Sequence, residues 1–180
     1  MTHVVIVNVE QQARPAVQVI PAGLVQLREL LPEEAGELKA GGDAGLEWLG
    51  GAPGEGTLAA AGMLAGVAAA GLHQPGWGIY ALVLAEDEVA VGGTGFHGGP
   101  DDGQVEIGFD LVEPARGHGY ATAALGALAR WALAQPGVDR VIATTTPDNL
   151  PSQHVMERAE FTRMPDADGL FVYQLVQPAH

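Results

Sequence analysis

The chain contains no cysteine. That absence removes a disulfide framework, a thiolate metal site and a catalytic thiol together, and it is compatible with a reducing cytoplasm. Basic residues are scarce: 8 Lys and Arg stand against 22 Asp and Glu, a formal net charge of −14. Such a surface repels phosphate backbones, so nucleic acid is not an expected partner. The same field draws in a cationic substrate such as a free amine, although surface acid also serves simply to keep a protein soluble. No hydrophobic run is long enough to span a membrane. The most apolar stretch, Thr57 to Leu72, is interrupted by Gly62, Gly66 and Gly71 and followed at once by His-Gln-Pro-Gly, where a span needs about 20 continuous apolar residues. The opening MTHVVIVNVEQQ has no basic residue ahead of its apolar run and no small-residue cleavage site behind it, so no signal peptide is expected and a cytoplasmic location is. No pair of histidines shows ligand spacing, so no metal site is expected either.

What is present fits one globular unit. A chain of 180 residues is long enough for one sizeable core and short for two, so a single domain over 1–180 is expected. The 26 glycines and 12 prolines are scattered without a period, which excludes collagen-like repeats. Residues before Val17 are expected to be disordered or to add a strand. Val17–Ile20 reads as a first strand, and Leu24, Leu27, Leu30 and Leu31 at helical spacing predict a helix near Gly23–Leu31. Short helical turns are expected at Glu33–Leu38 and Ala44–Leu49, and a buried helix over 57–72.

From there the pattern changes to strands. Gly78–Ala85 and Val89–His97 are strand-like, with Glu86-Asp87-Glu88 as the turn between them. After Asp101-Asp102-Gly103, the residues Val105, Ile107, Phe109 and Leu111 alternate with Glu106, Gly108 and Asp110 across a third strand. Pro114 to His118 breaks the pattern. A helix of about 18 residues follows, with Tyr120, Ala121, Ala124, Leu125, Leu128 and Trp131 or Ala132 on one face, and Pro136-Gly137 stops it. Val138–Thr146 reads as the next strand, Pro147-Asp148-Asn149 opens a helix to about Glu160, and Gly169–Val176 supplies a last strand. Helices, a meander, then strand-helix-strand-helix-strand imply a mixed α/β fold, with a mostly antiparallel sheet covered by helices.

One segment carries chemistry. VEIGFDLVEPARGHGYATAALGALARWAL places a tight glycine-containing turn directly between a strand and an amphipathic helix. Gly117 and Gly119 let the main chain approach an anion, Arg116 adds charge, and the positive end of the helix dipole points at the same place. A pyrophosphate is the natural guest. A Walker loop is excluded because no Gly-Lys-Ser or Gly-Lys-Thr exists in the chain. A dinucleotide fingerprint fails at Thr122, where a third glycine or alanine belongs, and the preceding strand closes a meander rather than opening a βαβ unit.

An arginine followed by Gly-x-Gly-x-Ala at a strand-to-helix turn, Arg116 to Ala121 here, resembles the acyl-CoA loop of GNAT acetyltransferases. Val105-Glu106-Ile107-Gly108-Phe109 resembles the fourth-strand signature of the branch containing the ribosomal-protein N-terminal acetyltransferases. Downstream, Asn149-Leu-Pro-Ser152-Gln-His-Val155, followed by Phe161, resembles its Asn-x-x-Ser-x-x-Val motif. The three segments stand in register and the match spans residues 78 to 175, while the first 75 residues add almost nothing.

The resemblance implies a GNAT fold with about 6–7 strands, splayed between the fourth and fifth strands of the family. It implies acetyl-CoA as co-substrate, its pyrophosphate on Arg116, Gly117, His118, Gly119, Tyr120 and Ala121. The pantetheine arm would pair with the backbone of Phe109, Asp110, Leu111 and Val112, and an N–H near Leu111 would polarise the thioester carbonyl. Asn149 would bond the pantetheine amide. Glu106 matches the position of the general base, required because an alkyl ammonium, pKa about 10, must lose a proton before it can attack. The same residue also reads as an ordinary polar member of an alternating strand. Met156 stands where many relatives use a tyrosine to protonate the leaving thiolate, and Ser152 is the matching hydroxyl of the ribosomal-protein branch, or simply a helix cap. His97 and Tyr80 are candidates for lining the acceptor pocket. Glu160 occupies a helix-ending position that is usually glycine in the family.

Two function classes follow. One is an enzyme that transfers an acetyl group to a primary amine: a protein N-terminus, an antibiotic or a small metabolite. The other is a non-catalytic acyl-CoA-binding sensor or interaction domain, favoured by Met156 and opposed by Glu106. A nucleotide-binding module is a third use of the same loop. Monomer and homodimer stay open, because no periodicity reports packing between subunits.

Overall fold

The structure, a computed structural model, describes residues 17–178, so the expectation for the first sixteen residues lies outside it. The chain opens with a hairpin, β1 (Val19–Ala22) and β2 (Val25–Glu29), then α1 (Pro32–Lys39), the two-residue β3 (Glu47–Trp48) and α2 (Glu55–Ala69). The meander is β4 (Ile79–Leu84), β5 (Val89–Phe96) and β6 (Gln104–Leu111). After a 3₁₀ turn at Glu113–Ala115 come α3 (Tyr120–Leu133), β7 (Arg140–Thr145), α4 (Leu150–Arg158), β8 (Thr162–Ala167) and β9 (Leu170–Val176).

All nine strands form one sheet in the order β1-β2-β4-β5-β6-β7-β9-β8, with β3 beside β5. Every pair on that path is antiparallel except β6–β7. This is the mixed, mostly antiparallel sheet that the resemblance implies, two to three strands larger than expected. Helices cover both faces. One core joins Leu27, Leu82, Ile107 and Val141 to α3 and α4. The other joins Ile79, Ala81 and Val83 to α1 and α2.

The extra strands have physical explanations. The helix expected over Gly23–Leu31 is strand β2, paired with β4 from Val25↔Leu84 to Glu29↔Tyr80. Its four leucines do not share a face: Leu24 is exposed, Leu27 lies in the α3-side core and Leu30 in the α2-side core. The competing period-2 signal, Val25-Gln26-Leu27-Arg28-Glu29, is the one the sheet uses. Strand β8 escapes notice because its residues are almost all exposed and Pro165 sits where the register shifts. A proline inside a run reads as an edge strand or none at all. Helix α2 also differs. It buries only Thr57, Ala61 and Leu64, while Met63 and Val67 face outward, so the apolar stretch is half-covered rather than buried.

Candidate active site

Strands β6 and β7 pair only at Gln104↔Arg140, Val105↔Val141 and Glu106↔Ile142. Beyond Glu106 they part. Strand β6 stays with β5 as far as Gly92↔Leu111, and β7 stays with β9 as far as Thr145↔Phe171. The result is a V-shaped gap whose apex is Glu106. The β5–β6 ladder determines which backbone groups face it. His97 N–H donates to Glu106 C=O and Val112 N–H to Val91 C=O, each at 3.0 Å. By the alternation of an antiparallel ladder, Glu106, Gly108, Asp110 and Val112 turn their main chain toward β5, while Phe109 and Leu111 turn theirs into the gap. Of the four residues expected to pair with the pantetheine arm, the geometry therefore offers Phe109 and Leu111.

The wide end of the gap leads to the turn before α3. Gly117 and Gly119 have φ of 81° and 80°, a conformation that costs a residue with a Cβ about 1–2 kcal/mol, which explains glycine at both. A Cβ at either would meet nothing within 4 Å, so the approach is open. Gly119 is the N-cap and has no side chain to offer, and the first bond closing the helix is Ala123 N–H to Gly119 C=O. The N–H groups of Tyr120, Ala121 and Thr122 are therefore free of helical acceptors. Arg116 is exposed and makes no ion pair among the described residues. His118 Nδ1 lies 3.1 Å from the Ala115 carbonyl and its ring stacks on Tyr120, which fixes the turn.

At the apex, Glu106 Oε1 accepts from the Thr144 hydroxyl at 3.2 Å and lies 3.4 Å from His97 Nδ1. The other carboxylate oxygen has no partner among the described residues, and the Glu106 side chain is 38% exposed. The carboxylate is thus held on one oxygen and open on the other. The Thr144 contact had no signal in the sequence. Thr144 shares a face with Ile142, which pairs with Glu106, and only the β6–β7 register reveals it.

On the face of the sheet that carries Gly108 and Asp110, a cavity of about 310 Å³ opens between α2 and strands β5 and β6. Asp110 builds it. Its Oδ2 accepts from both the backbone N–H and the hydroxyl of Thr57, supplying from 53 residues away the cap that Gly54 cannot. Gly54 and Gly56 are glycine because the Asp110 side chain occupies the space a Cβ would need. The side chain of Asp110 thus holds α2.

Tyr80, expected at the acceptor pocket, is instead fully buried in the α3-side core, its hydroxyl donating to Gly76 C=O at 2.8 Å. Burial, and secondarily the Glu29 carboxylate, pushes its phenol well above the ordinary value. His97 lines the cavity, its Nε2 lying over Gly108. Asn149 caps α4 by accepting from Ser152 N–H at 3.2 Å, and Met156 is buried. Among the described residues no cluster of His, Asp or Glu is arranged to hold a metal ion, and no helix is long and apolar enough to cross a membrane.

Comparison with known proteins agrees with this architecture. Residues 25–162 match the model of an acetyltransferase (GNAT) domain. The N-acetyltransferase YjdG of Bacillus subtilis (strain 168), itself uncharacterized, is 39% identical over 87 residues, 48% of this chain. That match spans about half of the relative's length, 52%. A GNAT-family acetyltransferase from Bacillus anthracis superposes with a TM-score of 0.62 at 19% identity, covering 88% of this chain and 98% of the other. A ribosomal L7/L12 alpha-N-protein acetyltransferase, RimL, in complex with coenzyme A gives 0.63 at 20% identity, with coverages of 88% and 98%. With a family match over most of its length and the splayed sheet that goes with it, the chain belongs to the GNAT acetyltransferase family.

Proposed function

We propose that this protein is an acetyl-CoA-dependent N-acetyltransferase that acylates a primary amine by direct attack, with Glu106 as general base. The observation that carries this reading is the parting of β6 and β7 immediately beyond Glu106 and Ile142, with a half-engaged carboxylate at the apex. The free N–H groups at the start of α3 and the open space over Gly117 and Gly119 fit the pyrophosphate of a CoA. Arg116 adds charge there, and His118, Tyr120 and Ala121 complete the turn. From Leu111 back to Glu106 the strand runs roughly 17 Å, along which Phe109 and Leu111 present main-chain donors and acceptors to an extended arm. Asn149 and Ser152, at the start of α4, face the same end of β7 and are proposed to bound the arm on its other side.

Acetyl-CoA supplies a thioester carbon. The amine nitrogen bonds to that carbon as the carbon–sulfur bond breaks, and one N–H proton must leave the nitrogen while the departing thiolate gains one. Glu106 takes the proton on its free oxygen, directly or through one water, and His97 and Thr144 hold the carboxylate in place. A backbone N–H at Leu111 or Phe109 is aimed at the charge that develops on the carbonyl oxygen. Ser152 is the hydroxyl proposed to steady the sulfur, since Met156 has no proton to give.

Calorimetry of acetyl-CoA with wild type and with the double variant Arg116→Glu, Gly119→Trp tests the first half, and thiol release against a panel of amines with Glu106→Gln as control tests the second. Binding by wild type alone, with turnover lost in Glu106→Gln but binding kept, supports the enzyme. Binding with no turnover on any amine favours the non-catalytic sensor, and absence of binding overturns both.

A further inference from the structure

The cavity beside Glu106 says what kind of amine it takes. Its roof is the outer face of α2, where Met63, Leu64 and Val67 meet Leu72. Three of these are among the large apolar side chains the protein leaves exposed: Met63 at 56%, Val67 at 42% and Leu72 at 69%. Its floor includes Gly95 and Gly108, direct partners across β5 and β6, with His97 Nε2 over Gly108. At about 310 Å³ it lies at the small end of the ~300–1,000 Å³ typical of small-molecule sites.

Charge narrows the choice. Among the described residues no Lys or Arg lines the cavity, so an acceptor bearing a carboxylate or phosphate finds no cationic partner there. Its one carboxylate, Asp110, faces the N-terminus of α2 through the two Thr57 bonds to Oδ2, so a second ammonium on a diamine or polyamine meets a carboxylate whose charge the helix start already draws on. With Thr57 and Thr94 already bonded, the polar groups left are His73, Gln74, His97 and the Trp77 indole N–H, and His97 leads to Glu106 at 3.4 Å. Apolar walls with the Glu106 carboxylate reached past His97 at one end match a single amine on an apolar body.

We infer that the acceptor is a small monoamine with an apolar, branched or aromatic body, seated between α2 and the glycine floor with its nitrogen at His97 and Glu106. This inference rests on the acetyltransferase reading and deepens it. The balanced reaction is the one above, one amide formed and one thioester broken, with no further reactant.

The test is calorimetry on the CoA-loaded protein with 2-phenylethylamine and with putrescine, for wild type and Val67→Asp. Val67 is partly exposed on α2, so the variant is expected to fold, which an unchanged melting temperature verifies. Wild type is expected to bind 2-phenylethylamine at least tenfold more tightly than putrescine. Val67→Asp is expected to reverse that preference by losing about tenfold for the aromatic amine while gaining a carboxylate for the diamine. Equal or tighter binding of putrescine, no saturable binding of 2-phenylethylamine, or no change in Val67→Asp each overturns the inference. Preference for a peptide with an N-terminal phenylalanine over the free amine also overturns it, in favour of a protein N-terminus. Failure of wild type to bind CoA at all is a separate result: it removes the acetyltransferase reading first.

Discussion

Asp110 on β6 and Thr57 on α2 are joined by two hydrogen bonds to the same carboxylate oxygen, at 3.1 Å from the Thr57 N–H and 3.2 Å from its hydroxyl. The helix that roofs the cavity is thereby fastened to the strand that floors it. Replacing Asp110 by Ala removes both bonds and uncaps α2, and should destabilise the fold by about 1–2 kcal/mol. Asp110→Asn keeps one acceptor and should fall between the two. Urea denaturation of the three proteins measures this, and equal midpoints would show that α2 is capped in some other way.

A strained residue lies at the end of α4. Glu160 has φ of 69°, with Glu160 N–H bonded to Glu157 C=O and Phe161 N–H to Met156 C=O. These are the two bonds of a Schellman termination, which places a left-handed residue at this position. Glycine pays no Cβ penalty there, although it adds freedom to the unfolded chain. Glu160→Gly is expected to stabilise by about 0.5–1 kcal/mol and to raise Tm by a few degrees. A thermal scan that shows a fall refutes this account of the turn.

Much of the meander and the phosphate turn was legible in the sequence because the signals there are local. Val105 to Leu111 alternates strictly, and Gly117-His118-Gly119 needs only its own neighbours to be read. The splay followed from resemblance rather than pattern, since no residue in Ile107–Leu111 announces that its β7 partner is missing. The Asp110–Thr57 contact spans 53 residues and had no local trace. Tyr80 was misplaced for a related reason. In a strand buried on both faces, as β4 is, side-chain type does not tell which core a residue enters. Leucines 24, 27, 30 and 31 imitated a helix because β2 feeds two cores and a loop.

Tyr80 gives a pH dependence. Its phenol is raised above the ordinary value of about 10, chiefly by burial and then by Glu29. The folded state thus holds the proton more tightly than the unfolded state does. The contribution is complete below pH 10 and is lost as pH rises above it, by up to about 1.4 kcal/mol per pH unit. Tyr80→Phe should cost about 1 kcal/mol at pH 8 through the lost bond to Gly76, and the cost should shrink or reverse by pH 10.5. Denaturant midpoints of both proteins at the two pH values test the sign, and a penalty that grows with pH contradicts it.

The roles of Glu106, His97 and Thr144 separate by which kinetic constant each moves. Glu106→Gln keeps the shape and both neighbours' contacts but cannot accept a proton, so kcat should fall by about 10²-fold or more with acetyl-CoA binding unchanged. The loss should be smaller for a weakly basic amine, because more of it is already neutral at the working pH. Thr144→Val removes the hydrogen bond to the carboxylate and His97→Gln its 3.4 Å contact, so each loosens Glu106 and should lower kcat by about tenfold or less. Steady-state kinetics with two amines of different basicity distinguish the cases. If Glu106→Gln loses the same factor on both amines, the carboxylate orients the acceptor rather than deprotonating it, and the base must be sought elsewhere along the gap.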